Sequence, residues 1–155
     1  MIRRREFITL LGGAAATWPF VAQGQEPGRI YRIGVLLGSP RDAPHYVALF
    51  DELRRLGFIE GRNLMIDAAG FGLPPERMEV HAADLMNGSV DVIFAAGDAA
   101  VRAAQRATTS IPILAFTDDM VGQGFVHSLS KPGGNITGVT ILSSERHLEQ
   151  CGYRA

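Results

Sequence analysis

Three short apolar runs lie close together in the second half of the chain, with no alternation of polar and apolar positions. They begin at Val90, Ile111 and Ile136, and an alanine-rich segment and then a glycine-rich segment separate them. A strand covered on both faces needs such an unbroken apolar run, whereas a strand covered on one face alternates. The region therefore predicts strand, helix, strand, helix, strand of a parallel sheet.

Two more strands and two helices are predicted upstream. The strands are the apolar runs at 30–37 and 64–67. The helix between them spans residues 43–56, because its apolar residues recur every three positions, as on one face of an amphipathic helix. These residues are Val47, Phe50, Leu53 and Leu56. A second helix is predicted from Pro74-Pro75 to Asn87-Gly88, since proline suits a first helical turn and glycine a helix end.

Laid end to end, these elements give five strands that alternate with four helices over short connections. This order favours an α/β fold, a doubly wound parallel five-stranded sheet with helices on both faces. We expect the strand order 2-1-3-4-5. In such sheets ligands bind beyond the carboxyl ends of the strands, so residues that follow the strands are the first candidates for a site.

Composition is that of an ordinary globular domain. The chain has 155 residues, of which 46% are hydrophobic and 20% charged, and its net charge is -1. No lysine or arginine run follows the first five residues. Nucleic-acid binding needs a clustered basic face, so we expect no nucleic-acid partner. The single cysteine, Cys151, cannot form an internal disulfide.

The first 24 residues have the pattern of an export signal. Residues 3–8, Arg-Arg-Arg-Glu-Phe-Ile, contain a twin-arginine motif, and the apolar segment 9–16 follows. Ala22 and Gly24 then supply the small residues of a cleavage site. The apolar segment is shorter than the ~20 residues of a membrane span. We therefore expect residues 1–24 to direct export to the periplasm by the twin-arginine route, and the mature chain to have no stable membrane span.

Polar residues after the third and fourth predicted strands are the candidate site. Gly97-Asp98 opens the alanine-rich helix, whose free amides and dipole favour an anion such as a carboxylate. We expect the Asp98 side chain to cap that helix. Thr117-Asp118-Asp119 ends the fourth strand, and its adjacent carboxylates suit an ammonium group, a cation or a helix cap. We expect one of the two to be a cap and the other to be a ligand contact.

Enzymatic motifs are missing from the sequence. It has no Gly-x-Gly-x-x-Gly after the first strand, no P-loop and no Gly-x-Ser-x-Gly elbow. The four histidines are scattered without metal-ligand spacing. We therefore expect no cofactor, no metal site and no catalytic activity.

One long segment resembles a known family. Residues 118–139, which include Lys131-Pro-Gly-Gly-Asn135, are similar to the signature of ABC transporter substrate-binding proteins of the tryptophan/tyrosine-transport-like kind. Residues 57–63, 82–85 and 108–113 match the same family, and the resemblance covers residues 3 to about 142. It implies an exported protein of two similar lobes that close over a small molecule and deliver it to a membrane permease. In characterised relatives the ligand is often an aromatic amino acid.

The same resemblance implies which residues line the cleft. They are Ser39, Gly97, Asp98, Ala99, Thr117, Asp118 and Asp119. The signature residues Pro132, Gly133, Gly134, Asn135 and Gly138 are expected to form a turn that aims the fifth strand toward the hinge.

The resemblance weakens at the end of the chain. Residues 25–142 correspond to an amino-terminal ligand-binding lobe, whereas residues 143–155 form a short divergent tail. We expect the second lobe to be absent, through truncation or a shifted reading frame. Two other functions are compatible with the fold: the effector-binding domain of a sensor, and a small α/β enzyme that uses Asp98 or Asp118 as an acid-base group. The export signal argues against the sensor, and the missing nucleophile and phosphate loop argue against the enzyme.

Overall fold

The computed structural model describes residues 28–141, and these fold around one parallel β-sheet. Its strands are β1 (Tyr31–Leu37), β2 (Leu64–Ile66), β3 (Val92–Ala96), β4 (Ile113–Thr117) and β5 (Ile136–Thr140). The helices are α1 (Pro44–Arg55), α2 (Pro75–Asn87) and α3 (Asp98–Ala107), with a short 3-10 helix at Ala68–Gly70. The predicted export signal and divergent tail lie outside the described residues.

The strand order is β2-β1-β3-β4-β5, and every neighbouring pair is parallel. This confirms the predicted α/β class and strand order. In the central register Ala95 of β3 pairs with Ala115 of β4, which pairs with Gly138 of β5. The carboxyl ends of β3 and β4 therefore lie side by side, which is what brings the two predicted polar segments together.

Helices α2 and α3 cover one face of the sheet. Their buried residues are Met78, Ala82 and Leu85 of α2 and Ala100, Val101, Ala103 and Ala104 of α3. They pack on Leu36, Ile93 and Ile113, which are fully buried. The alanines let α3 approach the strands closely, so the alanine-rich segment forms the central layer of the larger core.

Helix α1 covers the other face, but with a different stripe from the predicted one. Tyr46 is buried and packs with Phe50 on Val35 and Leu37. Val47 and Leu56 of the predicted stripe are instead 44% and 61% exposed. A step of three residues turns a helix by about 300°, so the three such steps from Val47 to Leu56 end on the opposite side of the helix, whereas alternating steps of four and three hold one face.

The predicted fourth helix, between β4 and β5, does not form. Residues 118–135 are turns and loop in the described structure. Gly124 and Gly133 adopt φ of 73° and 82°, which a helix does not use. The connection still contributes to the core beside α3, because Met120, Phe125 and Val126 are buried there.

The signature residues at the start of β5 hold neighbouring loops together. The Asn135 side-chain amide donates hydrogen bonds to the carbonyls of Thr108 (3.3 Å) and Ile111 (2.7 Å). The Asn135 carbonyl accepts from the Ile113 amide at 2.8 Å. These contacts lie at the amino ends of β4 and β5, opposite the carboxyl ends where the candidate site lies.

The prediction that β4 is covered on both faces is wrong for the described residues. Ile113, Ala115 and Thr117 are buried, while Leu114 and Phe116 between them are 40% and 37% exposed. Strand β4 is apolar throughout, but α1 does not extend over it. One side of β4 and β5 is therefore an exposed apolar surface.

Candidate functional site

The site lies where β3 passes into α3. Gly97 adopts φ 88° and ψ 153°, a conformation that side chains disfavour, and its amide donates to the Phe116 carbonyl at 2.8 Å. A Cβ atom at Gly97 would meet nothing within 4 Å, so the space above this turn is open. The first amides of α3 have no acceptor within the helix, and no side chain caps them.

Asp98 does not cap α3, which corrects the sequence prediction. The N-cap residue is Gly97 and no side chain bonds to the first helical amides. Asp98 lies one residue later, inside the first turn, where its charge is favourable beside the helix dipole. One Asp98 carboxylate oxygen accepts a hydrogen bond from the Thr117 hydroxyl. The bond joins the end of β4 to the start of α3.

Asp118 and Asp119 follow β4 and have different surroundings. Asp118 is exposed and makes no hydrogen bond or ion pair within residues 28–141. Asp119 accepts a hydrogen bond from the Gly122 amide at 2.7 Å. The prediction of a helix cap is therefore wrong, because Asp119 closes a turn and no helix follows.

Four of the seven predicted residues line one cavity. Gly97, Asp98, Thr117 and Asp118 surround a space of about 430 Å³. This volume is within the range of small-molecule sites. Its walls carry two carboxylates, and the structure records no ion pair for either within the described residues. The cavity thus offers both anionic oxygens and the free amides of a helix start.

The other three predicted residues do not line this cavity. Ala99 is exposed on α3, and Asp119 turns away to Gly122. Ser39 follows β1, where its carbonyl accepts from the Gly72 amide at 3.0 Å and its side chain bonds to Tyr46. Burial raises the pKa of the Tyr46 hydroxyl, and the Ser39 hydrogen bond partly opposes that effect. Ser39 thus anchors the β1 loop to α1.

Two cavity residues were missed by the sequence reasoning. Phe116 and Ile141 supply the apolar part of the wall. Phe116 was assigned to the last position of a buried strand run at 111–116, and Ile141 to a fifth strand run at 136–142. The signal that could have found Phe116 is its position one residue before the polar strand end.

A second cavity contains none of the predicted residues. It measures about 340 Å³ and lies beside β2 and α2, next to a His81–Asp67 contact of 2.6 Å. Asp67 also accepts from the Ala69 amide at 3.1 Å, so the pair has a structural use in fixing the 3-10 helix.

Within residues 28–141, no three His, Cys, Asp or Glu side chains are grouped so that they can hold a metal ion. In the same part of the chain, no helix is both long and apolar enough to cross a bilayer.

The fold and sequence are similar to those of known binding proteins. The chain is 34% identical over 95 residues to a tyrosine-binding protein of Clostridioides difficile, an alignment that spans 60% of this chain and 28% of the relative. It superposes with a TM-score of 0.64 on a ligand-free, open substrate-binding protein of Clostridium difficile, at 29% identity. It also superposes with a TM-score of 0.60 on an ABC domain of Streptococcus pneumoniae in complex with L-Trp, at 25% identity.

These relatives are longer than the matched region. The two superpositions cover 77% and 72% of this chain but 42% and 38% of the other chains. The chain therefore spans less than half the length of the proteins it resembles.

A family model identifies the chain more directly. The model described as ABC transporter substrate binding protein matches residues 36–150, which include the whole candidate site and extend beyond the described residues. This is a family of substrate-binding proteins and not of enzymes, and its members are typically extracytoplasmic. From this match, the chain belongs to the ABC transporter substrate-binding protein family.

Proposed function

We propose that the protein is the exported solute-binding component of an ABC import system and that it takes an amino acid, most favourably an aromatic one. The observation that carries the proposal is the 430 Å³ cavity in which the start of α3 faces Asp118. An amino acid is a zwitterion, and this cavity offers a partner to each of its charges.

The amine is the group that the two carboxylates would bind. Asp118 has no competing partner in the described residues, and Asp98 keeps one carboxylate oxygen beyond its bond to Thr117. A charge-assisted hydrogen bond to an ammonium group is roughly twice as strong as a neutral one. Asp118 is therefore the primary amine contact in our proposal, and Asp119 is not, because its carboxylate closes the turn at Gly122.

The ligand carboxylate would lie at the start of α3. The amides there have no helical acceptor, and the helix dipole adds a partial positive charge. Gly97 leaves the approach open because it has no side chain. The ring of an aromatic amino acid would then lie against Phe116 and Ile141, which are 37% and 45% exposed. One similar protein is a tyrosine-binding protein and another has a structure in complex with L-Trp, which supports this choice.

Export and delivery complete the proposal. The twin-arginine pattern at residues 3–8 would bring the folded protein to the periplasm, and an ABC permease of the inner membrane would be its partner. A clamshell of two lobes encloses its ligand. The described cavity is open and supplies one side of such an enclosure, so its affinity alone should be modest.

Thermal unfolding of the full chain with L-tyrosine, L-tryptophan and 3-(4-hydroxyphenyl)propionate, which lacks the amine, tests the proposal. A ligand bound only by the native state adds about 2.7 kcal/mol of stability at a hundredfold excess over its dissociation constant. We expect one amino acid to raise the transition and the amine-free acid to do so much less.

Two matched variants locate the contact. Asp118→Asn should abolish the ligand-induced shift, whereas Asp119→Asn should keep it, because asparagine retains the oxygen that accepts from Gly122. If both variants respond like the unmodified chain, the amine does not bind here. If no amino acid raises the transition, the residues of this lobe do not bind on their own and the proposal fails for this chain.

A further inference from the structure

An apolar hollow borders the candidate site on the α1 side of the sheet. It measures about 250 Å³, and its lining is almost wholly apolar. Strand β4 contributes Leu114 and Phe116, which are 40% and 37% exposed, and β5 contributes Val139, which is 56% exposed. Exposed apolar side chains that adjoin one another mark a place where a ligand or a partner binds. The hollow is therefore a candidate binding surface.

The hollow adjoins the 430 Å³ cavity of the candidate site, because Phe116 lines both spaces. Leu114 and Phe116 lie on the same face of β4, since Ala115 between them is buried on the other face. Leu114 is therefore about 6.6 Å farther from the candidate site than Phe116 along the strand. On β5, Val139 pairs with Phe116, and Ile141 of the cavity wall follows two residues later. The polar cavity and the hollow are thus neighbouring parts of one groove along β4 and β5.

Aromatic rings line the far end of this groove. Phe94 of β3 and Tyr46 of α1 meet edge to face, with ring centroids 6.1 Å apart. Tyr46 is buried, and Leu49 of α1 forms the wall beside it. No aspartate, glutamate, lysine or arginine of the described residues lines the hollow. A charged group would lose its hydration there without gaining a partner, whereas an aromatic ring would find apolar and aromatic neighbours.

The two parts of the groove suit the two ends of an amphipathic molecule. The polar cavity offers partners to the amine and the carboxylate of an amino acid, and its apolar wall holds one ring against Phe116 and Ile141. A ligand with a single ring in that position leaves the hollow beyond Phe116 unfilled. A longer apolar side chain would continue past Phe116 and remove more apolar surface from water.

We propose that the groove takes an amino acid whose side chain carries a second ring or a comparably long apolar group, and that this group lies in the hollow against Phe94, Leu114 and Val139. The inference rests on the proposed function, because the amine and carboxylate of the ligand are held at Asp118 and at the start of α3. Leu114 and Val139 then determine specificity, since they contact the far end of the ligand side chain and do not line the polar cavity.

Two ligands that share the same polar end test this inference: L-phenylalanine and L-4-phenylphenylalanine, which has one more ring at the para position. Titration calorimetry of the full chain measures the dissociation constant of each. We expect the second ring to strengthen binding about tenfold or more, since its burial in the hollow removes apolar surface from water. In the ¹⁵N-labelled chain, the amides of Leu114 and Val139 should shift with L-4-phenylphenylalanine and not with L-phenylalanine.

Two variants assign the gain in affinity to the hollow. Val139→Thr replaces a methyl group by a hydroxyl of similar size, and Leu114→Thr also places a hydroxyl in the hollow. Each should remove most of the gain from the second ring and leave the affinity for L-phenylalanine unchanged. Val80→Thr is the control and should change neither affinity, because Val80 is 61% exposed on α2, which covers the other face of the sheet.

The outcomes separate this inference from the proposed function. Equal dissociation constants for the two amino acids would overturn the inference and leave the proposed function in place. A gain that persists in Leu114→Thr and Val139→Thr would also overturn it, because the second ring would then lie elsewhere. So would a gain that disappears as the protein concentration rises, since a second copy of the chain would then occupy the hollow. If neither amino acid binds, the proposed function fails and this inference fails with it.

Discussion

At the scale of residues, the hydrogen bond from Thr117 to Asp98 is the contact that sets the geometry of the site. It joins the end of β4 to the first turn of α3, and Thr117 is only 4% exposed. The bond satisfies a hydroxyl that would otherwise be buried without a partner. It also fixes which Asp98 oxygen remains available to a ligand.

We predict that Thr117→Val lowers the free energy of unfolding by about 1.5–3 kcal/mol, the usual contribution of a hydrogen bond to a charged group. Urea unfolding measures the change. Thr137→Val is the matched control, because Thr137 lies on the exposed edge strand β5 and should change stability little. An equal loss in both variants would show that the Asp98 contact contributes no stability of its own.

A second residue-level prediction concerns pH. The Arg32 amide donates to Asp91 at 2.8 Å, and the Arg29 guanidinium adds a contact at 3.0 Å. These contacts lower the pKa of Asp91 below its usual 3.8 in the folded chain. A carboxyl with a depressed folded pKa stabilises the fold above its unfolded pKa, and this stabilisation is lost as pH falls through the folded value.

Asp91→Asn should therefore reduce stability at neutral pH and remove part of the loss of stability below about pH 4. Denaturant unfolding at a series of pH values measures both effects. Asp84→Asn is the control, because the exposed side chain of Asp84 in α2 has no recorded hydrogen bond or ion pair within the described residues. An unchanged acid dependence in Asp91→Asn would contradict the assignment.

At the scale of elements, β5 depends on one glycine. A Cβ atom at Gly138 would lie 1.8 Å from the Ala115 carbonyl oxygen of β4, so any side chain there must push the two strands apart. We predict that Gly138→Ala destabilises the chain by about 3 kcal/mol or more, as severe overpacking does. Gly134→Ala should be nearly neutral, since a Cβ there meets nothing within 4 Å. Thermal unfolding of the two variants tests this, and similar stability would contradict the register of β5.

The predictable elements were those with one strong local signal. The paired prolines at the start of α2, Gly97 before α3 and the apolar strand runs define their elements by local sequence alone. Residues 118–135 carry no such signal. Met120 and Phe125 are buried there by tertiary contacts, and their spacing follows neither a helical nor a strand period. The sequence pattern placed Val47 on the buried face of α1 because Val47 is apolar. The residue that is buried against the sheet is Tyr46, one position earlier on the helix.

The site was predictable in its location and less so in its contacts. Parallel pairing alone brings Gly97 and Asp98 next to Thr117 and Asp118, so strand order was sufficient for that. The partner of each carboxylate was not predictable. The partner of each carboxylate depends on whether a helix follows β4. In the structure a turn follows β4, and the Asp119 carboxylate closes it by accepting from the Gly122 amide.

At the scale of the whole molecule, the described residues form a doubly wound sheet with a polar cavity at one end and an exposed apolar face on one side. The cavity provides contacts from one direction only, and the chain spans 38–42% of the two structures compared with it above. We therefore expect the ligand affinity of the described cavity alone to be modest.

The central claim is that an amino acid binds between the start of α3 and the end of β4. The most direct test is a titration of the ¹⁵N-labelled full chain with L-tyrosine or L-tryptophan, followed by amide chemical shifts. The account predicts shifts concentrated at Asp98, Ala99, Ala100 and Asp118, with none at Gly133 and Gly134 beyond the opposite end of the sheet. Shifts concentrated around His81 and Asp67, or no shift at saturating ligand, would contradict it.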